Sequence, residues 1–296
     1  SRGMLILLRY GEIGLKSGPV KKKFRDRLLD RLREQLDYRG IDGDILRREG
    51  RIFADVAEED AADAALALSQ VPGVVSASPA VETTLVLDDI EAGAVELLAD
   101  RNAETFAVDA RRAGEHDYTS KDIEEAVGDA VREQCGLAVD LDDPDVTVDV
   151  EARYTAAYLY TETVDGIGGL PIGDENRVAV LFEDRAATVA AFLLMKRGCR
   201  VFPVYTGADS DAVSEEMEVL RQFDPGVKLT VMDGKTPAEA LDDACDLFDC
   251  DAAALPWPSG ELEQDVPATD VELLFPNAGF PEDEVMDRYA ELLSPP

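Results

Sequence analysis

The sequence predicts a protein of mixed α/β and α+β class, made of three consecutive domains. In residues 1–60 and just beyond, the pattern gives a strand, a helix, two strands, a helix and a strand, which is the ferredoxin-like order. A second domain, residues 61–166, combines helices with a β-hairpin. The third, residues 174–296, alternates strands and helices like a shortened Rossmann fold.

Hydrophobic periodicity defines the elements of the first two domains. The apolar run Met4–Tyr10 has the length of a strand, and from Pro19 onwards apolar residues recur every four positions, as on one face of a helix. Glu49 and Gly50 separate two alternating runs, which predicts a hairpin. The remaining elements predicted here are a helix at 57–70, an extended segment at 76–87, helices at 89–99 and 120–135, a strand at 105–110, and a hairpin of 146–154 with 157–163.

A linker rich in glycine and proline, residues 166–173, precedes the third domain. That domain starts with a strand at Arg177–Leu181, a helix at Ala186–Arg197 and a strand at Cys199–Tyr205, the beginning of a βαβ arrangement. Further along the chain we expect a strand at 228–231, a helix at 237–248 and a last helix at 283–293.

The charge of the chain is strongly negative and unevenly distributed. The 63 acidic and 29 basic residues give a net charge of −34, a composition that favours adaptation to high salt. An acidic disordered chain is the alternative, which the regular amphipathic periods disfavour. Residues 1–53 carry a net charge of +6, whereas residues 200–296 carry −18. A basic region in such an acidic chain indicates a docking surface for a polyanion, away from the C-terminal part.

Other residue types do not form an evident catalytic or metal-binding pattern. The four cysteines lack paired metal spacing, so we expect free thiols, no metal and a cytoplasmic protein. No apolar run approaches the length needed to cross a membrane. His116 is expected to make a loop contact or face solvent. Trp257, flanked by prolines, is expected to be a packed loop aromatic, with stacking on a base as the alternative.

Several segments resemble the 4-thiouridine tRNA sulfurtransferases, the ThiI family. The resemblance runs in order from residue 4 to about residue 205 and is faint beyond it. The segments that carry it are Arg9–Ser17 (RYGEIGLKS), similar to the family's opening; Thr105–Arg112, residues 142–146 and Gly166–Gly173, similar to its THUMP domain and the following segment; and Val189–Gly198, similar to its first catalytic-domain helix.

The resemblance implies a fold, an activity and partners. It implies a ferredoxin-like and a THUMP domain that together hold tRNA, in the acceptor-stem region, followed by a PP-loop domain. In the family, that last domain adenylates a uridine with ATP and transfers sulfur from a cysteine persulfide. Because family members pair, the resemblance also implies a homodimer, or a heterodimer with an active relative. Neither a membrane nor DNA is expected as a partner.

The sequence departs from the family at the PP-loop. The family's loop reads S-G-G-x-D-S, and its glycines let backbone N–H groups close on phosphates. The aligned positions here are Phe182, Glu183, Asp184, Arg185, Ala186 and Ala187. We therefore expect no ATP or other cofactor. Instead we expect Asp184 to cap the following helix by accepting from the N–H of Ala186 or Ala187, leaving no phosphate-sized hollow.

A second departure concerns the cysteine that carries sulfur in the family. A Cys-Gly pair is expected late in the catalytic domain, but the only such pair is Cys135-Gly136, in the predicted THUMP domain. We therefore assign no catalytic residue. The leading hypothesis is a tRNA-binding relative that lacks adenylation. The alternatives are an active tRNA sulfurtransferase with an atypical loop, and a structural protein without an RNA role.

Basic residues in the matching segments are the candidates for RNA contact. At high salt, arginines that bind phosphate through two hydrogen bonds are favoured over lysines. The candidates are Arg9, Lys16, Lys22, Arg25, Arg111, Arg112, Lys121 and Arg153. For Arg153, pairing with Glu151 on its own strand is an equal alternative.

Overall fold

The computed structural model describes residues 3–11, 18–261 and 265–294, and the chain divides into two compact units. Unit 1 consists of residues 1–9, 41–65 and 76–164, within the described ranges. Unit 2 consists of residues 10–40, 66–75 and 165–296, within the same limits. No helix in the described ranges is both long and apolar enough to span a bilayer.

The elements follow one another in an order that mixes both classes of structure. The elements up to residue 165 are β1 (Gly3–Tyr10), α1 (Gly18–Arg39), β2 (Gly43–Arg48), β3 (Arg51–Ala57), α2 (Ala61–Ser69), β4 (Val74–Thr83), α3 (Leu87–Leu98), β5 (Thr105–Arg112), α4 (Ser120–Cys135), β6 (Ala138–Val139), β7 (Val146–Ala152), β8 (Ala157–Tyr160) and β9 (Val164–Asp165). They are followed by β10 (Arg177–Leu181), α5 (Arg185–Lys196), β11 (Arg200–Tyr205), α6 (Ser214–Arg221), β12 (Thr230–Val231), α7 (Pro237–Phe248), β13 (Ala252–Ala254), β14 (Leu273–Leu274) and α8 (Glu282–Leu293).

The strands of unit 1 belong to a mixed sheet in the order β2-β3-β1-β4-β8-β7-β5-β6, with β9 beside β4. Strands β1 and β3 pair antiparallel, with Leu8 opposite Ile52. Strands β5 and β7 pair in parallel, so Arg111 lies beside Glu151 at the carboxyl end of both strands. Because side chains alternate between faces, one face of the sheet carries a buried cluster that includes Leu7 and Tyr158. Helices α3 and α4 contribute to a second core.

The sheet of unit 2 is parallel, in the order β12-β11-β10-β13-β14. Alternate residues of its central strand β10 enter two different cores. Val178 and Val180 belong to a cluster with residues of α5, whereas Ala179 and Leu181 belong to a cluster with residues of α7. A parallel sheet covered on both faces by helices is the Rossmann-like arrangement, which confirms the predicted class.

Most predicted elements are confirmed, several to the residue. Helix α4, strand β10 and helix α7 have the predicted bounds. The hairpin between β2 and β3 turns through Glu49 and Gly50, which have φ angles of 50° and 77°, as a type I′ turn requires. The sequence did not predict α6 or the short strands β6, β9, β13 and β14, whose two or three residues give too little periodicity to recognise.

The linker before β10 contains two neighbouring glycines with left-handed backbone. Gly168 has φ of 66° and Gly169 has φ of 78°. A Cβ at Gly169 would lie 2.0 Å from the carbonyl oxygen of Lys196, whereas a Cβ at Gly168 would meet nothing within 4 Å. The tight approach arises because Leu170 N donates to the same Lys196 carbonyl at 3.0 Å. Gly169 therefore fixes the linker against the end of α5.

We predict that Gly169→Ala destabilises the protein far more than Gly168→Ala. Both substitutions place a side chain in left-handed backbone, which costs about 1–2 kcal/mol. Gly169→Ala also creates a backbone collision, so the total should exceed about 3 kcal/mol. Thermal or urea unfolding of both variants measures the difference. Equal losses would mean that the approach to the Lys196 carbonyl relaxes freely.

Candidate functional site

Five arginines line one cavity of about 340 Å³ in unit 1, together with Ala113, Glu151 and Ala152. We call this cavity the arginine pocket. Its arginines are Arg9, Arg51, Arg111, Arg112 and Arg153. Strand geometry brings them together. Because Leu8 pairs with Ile52, the next residues along β1 and β3, Arg9 and Arg51, lie at the same end of that pair. The parallel ends of β5 and β7 supply the other three.

A single carboxylate, that of Glu151, lies among these guanidinium groups with its side chain only 7% exposed. Its Oε1 accepts from Arg9 Nη2 at 3.1 Å and from the Tyr160 hydroxyl at 3.3 Å. Its Oε2 lies 3.6 Å from Arg51 Nη2 and 3.9 Å from Arg153 Nη1. These two distances are too long for hydrogen bonds, and Oε2 is buried without a hydrogen-bond partner among the described residues.

Arg9 is held on three sides. Besides Glu151, its guanidinium donates to Ser78 Oγ at 3.1 Å and to Ser76 Oγ at 3.3 Å, and it lies 4.8 Å from the centre of the Tyr160 ring. Burial raises the pKa of Tyr160 to about 12, so this phenol stays protonated and donates to Glu151. The orientation of Arg9 is therefore fixed before any ligand arrives.

Arg153 and Arg51 retain unused donors inside the pocket. Arg153 Nη2 donates to the Glu49 carbonyl at 2.9 Å, which joins the β2–β3 turn to the end of β7. The Nε atoms of Arg153 and Arg51 are buried without a hydrogen-bond partner within the described ranges. Buried donors of this kind are costly when unpaired. The alternative that Arg153 pairs with Glu151 is met only at 3.9 Å, and the hydrogen bond to Glu49 is the closer contact.

Arg111 and Arg112 form the exposed side of the pocket. Arg111 is 68% exposed and pairs with Asp109 at 3.0 Å, and this hydrogen bond raises the pKa of Arg111. Arg112 Nη1 donates to the Tyr118 carbonyl at 2.8 Å. Both guanidinium groups keep donors free of these contacts, since each carries five N–H groups. The pocket thus combines fixed inner arginines with accessible outer ones.

An exposed aromatic lies next to the arginine pocket. Tyr154, in the turn between β7 and β8, is 63% exposed. Its ring covers Gly114, where a Cβ would lie 2.9 Å from Tyr154 Cδ1, and the Arg153 guanidinium is 6.0 Å from the ring centre. Charged donors beside an exposed ring suit a ligand that is both anionic and aromatic, such as a nucleotide.

The structure brings together four of the predicted RNA-binding residues and adds one. Arg9, Arg111, Arg112 and Arg153 share the arginine pocket, and Arg51 was missed. Arg51 could have been found from alternation, because Arg51 and the buried Phe53 are two apart, as Arg9 and the buried Leu7 are.

The other predicted residues lie elsewhere. Lys22 is exposed on α1, in unit 2, where Arg25 is half-buried and 3.8 Å from Asp26. Lys121 is exposed on α4 and lies 3.5 Å from Glu125. Lys16 is outside the described residues. None of the three described here lines the arginine pocket.

The segment 182–187 of unit 2 connects β10 to α5. Phe182 is fully buried in the core. Asp184 has extended backbone at the N-cap of α5, and its Oδ1 accepts from Ala187 N at 3.0 Å. The predicted cap is therefore confirmed. A carboxylate here satisfies one of the first N–H groups of the helix and lies favourably in its dipole.

The expectation that this cap leaves no hollow is wrong. A cavity of about 380 Å³ lies beside it, because Asp184 covers only the Ala187 N–H while α6, α8 and the segment at Pro258 bound the space in front. The cavity is acidic: Arg185 is its only cation among the described residues, and its carboxylates are those of Glu183, Asp184, Glu216, Glu261 and Glu282. Within the described part of the chain, no cluster of His, Cys, Asp and Glu is arranged to hold a metal ion.

Other residues considered from the sequence have structural roles. His116 Nε2 lies 3.0 Å from the Ala113 carbonyl, and the ring stacks on Tyr118. Trp257 packs against Phe275, as expected of a loop aromatic. Burial raises the pKa of the Cys135 and Cys199 thiols, which makes both poor nucleophiles.

Comparison with known families matches both domains of the N-terminal part. Residues 5–78 match the ThiI ferredoxin-like domain, and residues 86–162 match the THUMP domain. The predicted ferredoxin-like and THUMP domains are thereby confirmed. Their division at residue 60 stays a prediction.

Solved structures share this fold. The protein PH1313 from Pyrococcus horikoshii superposes with a TM-score of 0.84 and 28% identity, covering 98% of this chain and 99% of that one. A 4-thiouridine synthetase solved in complex with RNA and bound ATP has a TM-score of 0.82 at 20% identity, covering 98% of this chain and 85% of that one. The second likeness concerns the fold alone.

Curated relatives are named probable tRNA sulfurtransferases. That of Methanocaldococcus jannaschii is 35% identical over 250 residues, covering 80% of this chain and 66% of the relative. That of Halobacterium salinarum is 40% identical over 207 residues, covering 68% and 52%. That of Methanobrevibacter smithii is 33% identical over 264 residues, covering 83% and 68%. This chain thus spans about half to two thirds of the length of these relatives, and it belongs to the tRNA sulfurtransferase family.

Proposed function

We propose that this chain binds tRNA through the arginine pocket and does not adenylate it. The observation that carries the proposal is the convergence of five guanidinium groups on one cavity that contains a single carboxylate. In a chain with a net charge of −34, such a local excess of positive charge has a specific use. Guanidinium groups bind phosphate with paired, charge-assisted hydrogen bonds, which makes a phosphate group of RNA the best-matched ligand.

The composition of the pocket also suits RNA at high salt. At about 1 M salt the Debye length is about 3 Å, so attraction over longer distances is screened. Contacts that survive must be short and directed. The inner arginines are already oriented by Glu151, Ser76 and Ser78, which lowers the ordering cost of binding. The exposed Tyr154 ring adds a surface on which an unpaired base can stack.

Family membership supports tRNA as the RNA in question, since the curated relatives are named for tRNA and the THUMP domain is present. The neighbour crystallised with RNA and ATP has the same fold. By this analogy the bound region is the acceptor stem. Pairing with a second copy, or with an active relative, is part of the same proposal.

The absence of adenylation rests on the segment 182–187. None of its six residues is a glycine or a serine, and its Asp184 carboxylate occupies the N-terminus of α5. A phosphate in the adjacent cavity would face several carboxylates. At about 4 Å, each such pair costs on the order of 4 kcal/mol at an effective dielectric constant of 20. The segment thus acts as a degenerate PP-loop.

An active sulfurtransferase is the second candidate. The observation that favours it is the cavity of about 380 Å³ beside the start of α5, a position where nucleotides bind in Rossmann-like folds. ATP binding distinguishes the two candidates, because only the active enzyme requires it.

We predict that Arg111→Ala combined with Arg112→Ala weakens tRNA binding at least about tenfold and lowers the salt dependence by about one per lost phosphate contact. The matched control is Arg101→Ala combined with Arg132→Ala, which removes the same charge from exposed, ion-paired arginines of unit 1. Arg288→Ala, on α8, should also have little effect. Fluorescence anisotropy across a salt series measures these affinities. Equal weakening by the control pair would place the RNA elsewhere.

We also predict that millimolar Mg-ATP produces no saturable heat in calorimetry with the full chain. The acidic lining and the Asp184 cap both oppose a triphosphate at this position. The same preparation must bind tRNA, so that inactive protein is excluded as the cause. Micromolar ATP binding would contradict the degenerate loop and favour the active enzyme.

A further inference from the structure

Unit 2 carries an apolar groove of about 680 Å³ beside the C-terminal end of α5. We call it the α5 groove. Its apolar lining includes Leu170, Leu193, Leu274, Phe275, Pro276 and Phe280, each of them half-buried. A groove of this size lined by half-buried leucine and phenylalanine side chains favours an apolar occupant.

Two cations border the same groove. Lys196 and Arg197 are both exposed, and neither lies within ion-pair distance of an acidic side chain among the described residues. Other bases of unit 2 differ: Arg200 pairs with Asp174 at 2.6 Å, and Arg221 pairs with Glu218. In so acidic a chain, two adjacent cations without carboxylate partners indicate that the occupant of the α5 groove supplies the acids.

Unit 1 presents a segment with the complementary chemistry. Leu141 is 78% exposed and stands between Asp140 and the pair Asp142-Asp143. We call residues 140–143 the Leu141 loop. Its shape is fixed, because Asp140 Oδ1 accepts from the backbone N–H groups of Asp142 at 3.0 Å and Asp143 at 3.1 Å.

The loop is also anchored where it ends. The Asp145 carboxylate accepts from Glu104 N at 2.8 Å and from Thr105 N at 3.0 Å, which ties it to the start of β5. A single exposed leucine is ordinary on a protein surface. A leucine held outwards in a rigid acidic loop matches an apolar groove with two unpaired cations, and the rigidity lowers the ordering cost of docking.

We propose that the α5 groove receives the Leu141 loop of a second copy of this chain, with Lys196 and Arg197 pairing with Asp142 and Asp143. Since each copy carries both surfaces, the contact can be made twice around a two-fold axis and closes a dimer. The dimer surface is distinct from the arginine pocket, so the proposal does not depend on RNA binding.

The first test is the mass of the full chain in solution, by sedimentation velocity at micromolar concentration. The wild-type chain should sediment as a dimer and Leu141→Asp as a monomer. The matched control is Leu247→Asp, which changes another leucine that is 65% exposed and should leave the dimer intact. A circular dichroism melt verifies that each variant is folded. A monomeric wild-type chain, or a dimer that Leu141→Asp leaves unchanged, would overturn the proposal.

A charge exchange makes the test specific for the two surfaces. One variant combines Asp142→Lys with Asp143→Lys, which keeps the Asp140 turn, and the other combines Lys196→Glu with Arg197→Glu. Each variant alone should be monomeric, because both of its contacts are repulsive. An equimolar mixture should form a dimer, since one contact is then wild type and the other has its charges reversed. A mixture that stays monomeric would rule out this pairing of loop and groove.

Discussion

The buried carboxylate of Glu151 is the constraint on which the arginine pocket depends. Without it, the guanidinium groups of Arg9, Arg51 and Arg153 would face one another with nothing to offset their repulsion. Its Oε1 is fully used by Arg9 and Tyr160, whereas Oε2 faces two arginines at distances that leave their hydrogen bonds unmade. The carboxylate thus holds the arginines in place without satisfying them. An incoming phosphate can complete those hydrogen bonds, which is why a strongly charged cavity can persist in the free protein.

The two candidate sites illustrate opposite uses of charge. The arginine pocket concentrates positive charge in a chain with a large acidic excess, whereas the cavity beside Asp184 concentrates negative charge where a fold of this type offers a helix N-terminus to phosphates. In both places the backbone is ordinary for the fold, and side chains decide what can bind. This difference supports a protein that has kept RNA recognition while its nucleotide position has changed, as fold and function separate in many families.

Local signals in the sequence predicted the parts of the molecule that depend on neighbouring residues. The spacing of Val189 and Leu193 with the preceding Asp184 gave both α5 and its cap, and alternation gave the long strands. What could not be predicted depends on distant residues. Arg51 belongs to the pocket only because β3 lies beside β1, and the acidic cavity exists only because α6 and α8 bound the space beside the cap. Lysines such as Lys22 and Lys121 carry the expected charge but lie outside the pocket, since composition alone does not specify position.

The central claim is that RNA contacts unit 1 at the arginine pocket and not the cavity of unit 2. Ultraviolet crosslinking of the full chain to tRNA, followed by mass spectrometry of the peptides, tests it most directly. The account predicts nucleotide adducts on peptides from residues 105–118 and 151–160, with Tyr154 as the main crosslinked side chain because its ring is exposed beside the pocket. Adducts confined to peptides that contain Glu183, Arg185 or Glu282 would contradict it.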